Sequence, residues 1–136
     1  YHLFCGVINN RYGINRKYST LFDSIKIINN IINIKTIPNK KIKNKLFKNL
    51  EETNIGVNVF IAKTECLKNI KWRDELKVGE HELFFYDFYK FGYKCVISED
   101  CNFVQVKDRN YPENLEKYRN RAFNTLSPFK SIIINF

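Results

Sequence analysis

The chain has no methionine, one tryptophan, three prolines and five glycines in 136 residues. With no methionine even at position 1, it reads as a piece of a longer product or as a processed one. No run of 18 or more apolar residues occurs, so no membrane-spanning helix is expected. A charged N-terminal region followed by an apolar run and a small-residue cleavage site is also missing, so no signal peptide is expected. The four cysteines, Cys5, Cys66, Cys95 and Cys101, form no CxxC pair, which argues against a zinc site. Cys95 and Cys101 could pair if their strands are adjacent; free, buried thiols are the simpler expectation. The GxGxxG, Walker, HExxH and GxSxG patterns are absent, and the enzyme classes built on them lose their usual signatures.

What is present suits one packed domain, or part of one, at roughly 100–200 residues per domain. Residues are 44% hydrophobic and 15% aromatic, which excludes a disordered segment. Lys and Arg total 23 against 14 for Asp and Glu, a net charge of +9 that favours anionic partners without choosing among them. Residues 25–49 are enriched in Ile, Asn and Lys, as an AT-rich coding sequence would make them. Part of the positive charge therefore reflects compositional drift. The segment with Lys40, Lys41, Lys43, Lys45 and Lys48 reads as a solvated loop or helix face. Phe47 is the only aromatic residue within it, so no base-stacking platform and no nucleic-acid partner is expected.

Periodicity and turn residues predict a strand at Leu3–Ile8 and a turn at Tyr12–Asn15. One or two strands span Ile25–Ile37, with Asn29-Asn30 as the turn. Lys40–Leu50 reads as a polar helix. Val57–Ala62 is an apolar run of strand length, expected to be buried on both faces. Thr64–Leu67 opens a helical turn, and Trp72–Leu76 reads as a loop. Glu80–Phe91 is a helix whose Phe84, Phe85, Phe88 and Phe91 share one face, with Gly92 at the C′ position. Tyr93–Ser98 and Phe103–Val106 read as two strands. A helix opens at Pro112 and runs to about Leu126, and Ser131–Phe136 is a hydrophobic tail or strand. The order is that of an α/β or α+β chain, with a mixed sheet flanked by helices.

Gly79–Phe85 places two carboxylates and an imidazole at a helix start, just after a glycine. Helix N-termini stabilise anions, so Glu80 and Glu82 should stay ionised. A carboxylate there can accept a hydrogen bond from a hydroxyl and take its proton. The two acids lie about 200° apart around a helix, so they cannot both face one site if both are fully helical. In the plainer reading they complement the helix dipole and His81 caps locally.

The stretch Asn58–Gln105 resembles the C-terminal half of a GT-A glycosyltransferase domain of the family-2-like group. The match named most closely is the β-1,4-N-acetylgalactosaminyltransferase type. The order of features carries the resemblance: a VNxFIA strand, a Thr-Glu helix start, a Trp-x-x-x-Leu-Lys loop from Trp72 to Lys77, and a Gly-Glu-His-Glu-x-Phe-Phe helix start from Gly79. A helix ending in glycine, a strand and an edge aspartate, Asp100, follow. The resemblance covers about a third of the chain closely. It implies a partial GT-A (nucleotide-diphospho-sugar transferase) fold. Residues 1–136 would be one segment, the C-terminal part of that domain. Residues 1–55 would be compositionally biased strands and loops, and 56–126 the acceptor and catalytic-base region.

The implied activity is inverting transfer of a hexose or N-acetylhexosamine from a nucleotide sugar to a glycan acceptor. Glu82 is the first candidate for the catalytic base and Glu80 the second. His81, Asp74 and Trp72 are acceptor-binding candidates, Trp72 either as a sugar platform or as a core residue. Basic residues after the last strand often lie near the diphosphate in this family, which makes Arg109 and Arg119 donor-binding candidates. Lys117, Arg119 and Arg121 cannot all share one helical face. The family implies a divalent metal, Mn or Mg. The Asp-x-Asp pair that holds it is absent here, and Gln105 stands where a metal-binding His often occurs. Leu83 likewise replaces a frequent acid. Both departures favour the alternative, a catalytically degenerate module of the same fold that binds glycan or protein. By analogy the location is the Golgi lumen in a eukaryote, with membrane attachment only through segments outside this chain, and the cytoplasm in a microbe or virus.

Overall fold

The computed structural model describes residues 1–9, 19–72 and 80–104, with residues 15–16 and 131–135 described as backbone. The chain is mixed α/β with nine strands and two helices among the described residues. The strands are β1 (Leu3–Asn9), β2 (Asn15–Arg16), β3 (Leu21–Ile28), β4 (Ile31–Ile37), β5 (Lys40–Ile42), β6 (Leu50–Thr53), β7 (Phe60–Ala62), β8 (Cys95–Val104) and β9 (Ser131–Asn135). The helices are α1 (Thr64–Asn69) and α2 (Glu80–Lys90). The principal sheet is ordered β2-β1-β8-β6-β5, and β7 pairs with β1 on the edge that β2 also uses. β1 and β8 are parallel and the other pairs in this sheet are antiparallel. A second sheet is ordered β3-β4-β9, with β4 and β9 parallel.

The β3–β4 hairpin forms where the asparagine pair predicted it. Asn29 and Asn30 take φ of 51° and 61°, the left-handed pair that a two-residue hairpin turn demands. Asparagine tolerates that region better than other side-chain-bearing residues. Ile32 and Ile34 face inward and are fully buried. The hairpin is tied to the principal sheet by a polar knot. The Phe22 N–H donates to Asn54 Oδ1 (2.7 Å), the Asn54 N–H to the Thr20 carbonyl (2.9 Å), and Thr53 Oγ1 to the Thr20 carbonyl (3.1 Å). Thr53 is fully buried, so these bonds prevent an unpaired hydroxyl in the core.

Helix α2 covers the principal sheet. Leu83, Phe84, Phe85, Tyr86 and Phe88 are buried. An isolated helix of this length is marginal in water. Burial of each phenylalanine contributes about 1.5–3 kcal/mol, so packing rather than propensity holds the helix. Gly92 ends it at φ 77°. The Gly92 N–H donates to the Tyr89 carbonyl (2.9 Å) and the Tyr93 N–H to the Phe88 carbonyl (3.2 Å), a Schellman closure that needs a left-handed residue. None of the helices in the described residues is long and apolar enough to cross a membrane.

Four sequence expectations are corrected, and the cysteines are free as the simpler expectation had them. Lys40–Leu50 is not a helix: Lys40–Ile42 pairs with β6 and a loop over 43–49 follows. Long-range pairing of Leu50 and Glu51 with β8 overrides the helical propensity of the lysines. Val57–Ala62 yields only the three-residue edge strand β7, and Ile61 is 78% exposed rather than buried on both faces. Residues 95–98 and 103–104 of the two expected strands belong to one strand, β8, and Gln105 and Val106 lie outside the described residues. The apparent gap is a bulge: Cys5 opposes Ile97 while Val7 opposes Asn102. Phe91 leaves the buried face and is 59% exposed, because the helix stops one residue before it. Cys95 and Cys101 lie six residues apart on one strand, about 20 Å at 3.3 Å per residue, and all four cysteines are free. The tail at Ser131 does form a strand, β9. The predicted turn at Tyr12–Asn15 and the helix from Pro112 to Leu126 lie outside the described residues, apart from Asn15 in β2.

The β8 bulge has a structural use. It projects Asp100, whose carboxylate accepts bonds from the Lys48 N–H (2.7 Å), the Asn49 N–H (3.2 Å) and Asn49 Nδ2 (3.2 Å). The Asn49 backbone bond, foremost among these, holds the Asp100 carboxyl below its ordinary value against the opposing effect of desolvation. Gly6 lies opposite the bulge, where an added Cβ would meet the Cys101 carbonyl at 2.7 Å and the Phe103 ring at 2.6 Å.

Two outcomes follow. Because its folded value is depressed, Asp100 stabilises the 43–49 loop at neutral pH and loses that effect as pH falls through its folded value. Asp100→Asn should speed amide hydrogen exchange at Lys48 and Asn49 at pH 7, and the difference from the wild type should shrink in acid. Equal exchange rates at pH 7 would contradict the assignment. Burial pushes the Cys5 thiol up to about 12 and raises those of Cys66 and Cys95. Iodoacetamide should therefore modify Cys101, the only one of the four not buried, and spare the others until the chain unfolds.

Candidate functional site

The candidate site is the start of α2 and the surfaces that meet it. Glu80, His81 and Glu82 are each half-buried. Their i+3 and i+4 neighbours decide where they point. Glu80 stands above Leu83 and Phe84, both core residues, and its Oε2 is buried with no hydrogen-bond partner among the described residues. A buried carboxylate oxygen without a partner costs free energy, and such a group calls for an explanation. The first turn of the helix offsets part of that cost by favouring negative charge.

His81 is held from the opposite side. Its Nδ1 hydrogen-bonds Asn58 Oδ1, and the ring is also bonded to the Gly56 backbone. The ring lies 5.1 Å from that of Phe85 and 6.4 Å from that of Trp72. Burial lowers the proton affinity of His81. The Glu82 charge, the Gly56 bond and the Glu80 charge pull the other way but do not overcome it. The imidazole thus fastens the helix start to the loop before β7. Gly56 is itself a tight contact, since a Cβ there would meet Cys5 Sγ at 2.5 Å.

Trp72 packs on the core cluster and is half-buried, its ring 4.9 Å from Phe84 and tilted by 37°. The two readings of this residue meet in one geometry: it anchors to the core and still has accessible surface. Phe60 of β7 stacks on Phe84 at 5.5 Å and 16°, so the aromatic group runs from Trp72 through the helix to the sheet edge. Trp72 and His81 therefore meet at the helix start, where the charges of Glu82 and Glu80 act on the imidazole; both acids are helical, so they do not face one point. Asp74, Arg109, Arg119 and Gln105 lie outside the described residues.

Asn58 and Gly56 were not singled out in the sequence. They fall in or beside an apolar run that reads as a strand, and only the tertiary contact to His81 marks them. Among the described residues no group of three or more His, Cys, Asp or Glu could hold a metal ion. Asp100, the edge aspartate of the resemblance, is engaged by the 48–49 backbone. Two described cavities, of about 350 and 310 Å³, lie between the α1 end and α2 and on the far face of the principal sheet.

A histidine with depressed proton affinity gives a pH dependence of fixed sign. The stability it permits is complete above the ordinary value of about 6.5 and is lost as pH falls through the lower folded value. Thermal melts from pH 7.5 to 5 should show a fall in Tm for the wild type that is smaller in His81→Gln. Parallel pH profiles for the two proteins would reject the burial of a neutral imidazole. Comparison with protein-family models, with curated proteins and with solved structures finds no match to this chain.

Proposed function

We propose that residues 56–104 form the acceptor side of a GT-A-type glycosyltransferase that moves a hexosyl or N-acetylhexosaminyl group from a nucleotide sugar to a glycan. The observation that carries the reading is the buried Oε2 of Glu80, without a hydrogen-bond partner among the described residues, on the helix turn whose His81 and Phe84 rings meet the half-buried Trp72. A carboxylate oxygen with no donor among the described residues suits an acceptor hydroxyl that would supply one. Trp72 offers apolar surface for the carbon-rich face of a sugar ring. On this argument Glu80 stands ahead of Glu82 as the base, the reverse of the order the sequence suggested, because the buried carboxylate oxygen without a partner among the described residues belongs to Glu80. Glu82 supports the negative field at the helix start, and His81 positions the turn.

In the proposed reaction the acceptor hydroxyl donates to Glu80. Its oxygen forms a bond to the anomeric carbon as the bond to the nucleotide diphosphate breaks, and the proton passes to the carboxylate. Attack opposite the leaving group inverts the anomeric centre. The described residues do not fit a divalent cation, and no step is assigned to one here.

A second reading, binding without turnover, is favoured by Leu83. It is fully buried among the phenylalanines, at a position where the resembling family often carries an acid. Transfer from labelled nucleotide sugars to glycan acceptors, by the natural gene product that carries these residues, separates the two. Glu80→Gln should lower kcat about 10²–10⁴-fold with an unchanged circular dichroism spectrum, and Glu82→Gln should lower it less. A wild-type rate in Glu80→Gln would overturn the assignment. Saturable glycan binding without turnover would establish the binding module.

A further inference from the structure

The principal sheet has a second face, turned away from α2. Leu50 and Val96 are buried there, 5% and 3% exposed, yet neither belongs to the helix-side core. Phe4, between the inward-facing Leu3 and Cys5, shares this outer side. The cover is the loop over 43–49, whose Phe47 ring lies 5.1 Å from that of Phe4. A cavity of about 310 Å³ remains beside this cover, lined in addition by Ile61 and Lys63. That volume is at the lower end of the range of small-molecule sites.

Three features give the cavity a ligand class. Its walls are apolar and aromatic, and Ile61 stays 78% exposed over it. No carboxylate is among its lining residues, whereas Lys63 lines it and the covering loop carries the exposed Lys43, Lys45 and Lys48. Glu52, the acid in register with Val96, is also in register with Lys40. The cover is also held in place before any ligand arrives. Asn44 Oδ1 accepts from the Leu46 and Phe47 N–H groups (2.7 and 3.2 Å), and Asp100 holds the next two. A wall fixed on both sides of Phe47 costs little further ordering on binding.

We propose that this cavity binds a small amphipathic anion, a planar aromatic body carrying one phosphate or carboxylate, with the ring against Phe4 and Phe47 and the charge at Lys63. The site lies on the sheet face opposite α2, so it stands or falls independently of Glu80.

The test is a titration of the isotope-labelled chain with 1-naphthyl phosphate and, separately, with uncharged 1-naphthol, followed by amide chemical shifts. Saturable shifts are expected at Phe4, Phe47, Ile61 and Val96, with the phosphate bound at least ten-fold more tightly than the alcohol. Lys63→Glu and the milder Lys63→Gln should weaken phosphate binding, the former at least ten-fold, and leave naphthol binding unchanged. Ile61→Asn should weaken both ligands. Both positions are exposed, so the fold is retained. Equal affinity for the two ligands, shifts centred on α2, or indifference to both Lys63 substitutions would overturn the proposal. Binding to anionic vesicles without saturable binding of naphthyl phosphate would overturn it as well, and would assign the face to a bilayer.

Discussion

The structure depends on the burial of one phenylalanine-rich helix face against the β1–β8 pair. Phe85 and Phe88 are fully buried, and Phe84 nearly so. Each contacts other rings at centroid separations of 5–6 Å, where aromatic pairs are favourable beyond the area they bury. The same cluster takes in Ile32 and Ile34 from the hairpin and Cys5 and Cys95 from the central strands. Remove that helix face and neither sheet keeps its cover. The helix start, with its acids and imidazole, is therefore placed by hydrophobic packing several residues further along.

Polar groups do a different task in this molecule: they set the relative placement of segments that hydrophobic contact alone would leave loose. Asn54 substitutes its side-chain carbonyl for a strand partner at Phe22, and Thr53 bridges the carbonyls of Thr20 and Ile55. Asp100 performs the equivalent service for the 43–49 loop, and His81 for the turn at Gly56 and Asn58. The exposed ion pair of Lys35 with Asp23 at 3.7 Å adds little, as solvent screening dictates. Three buried side-chain oxygens have no partner among the described residues, Asn9 Oδ1, Asn39 Oδ1 and Glu80 Oε2, and of these only the Glu80 oxygen belongs to a carboxylate.

Legibility in the sequence followed the range of the interaction. The Asn29-Asn30 turn, the Gly92 helix end and the β1 strand were readable, since each is decided by residues within a few positions. The buried face of α2 was readable for Phe84, Phe85 and Phe88, since helical periodicity announces it. Lys40–Leu50 was not, because its lysines favour a helix locally and only pairing with the distant β8 makes the segment extended. The β8 bulge was misread as a break between strands, since an irregularity in register has no compositional mark. At the candidate site, the two acids and the imidazole at the helix start were readable as a local run, while the contact of Trp72 with His81 and the hold of Asn58 and Gly56 on His81 were not decided by neighbouring residues.

By itself the sequence determined the local grammar: where the chain turns, which helix face is apolar, and that two acids and an imidazole open that helix. Those properties depend on φ preferences and on periodicity, which neighbouring residues alone dictate. Only the tertiary structure decided which side-chain oxygens are buried, which thiols are shut away, and that a lysine-bearing loop roofs the far side of the sheet. Each of these depends on contacts between residues tens of positions apart, and the free energy of such contacts exists only once the chain has closed on itself.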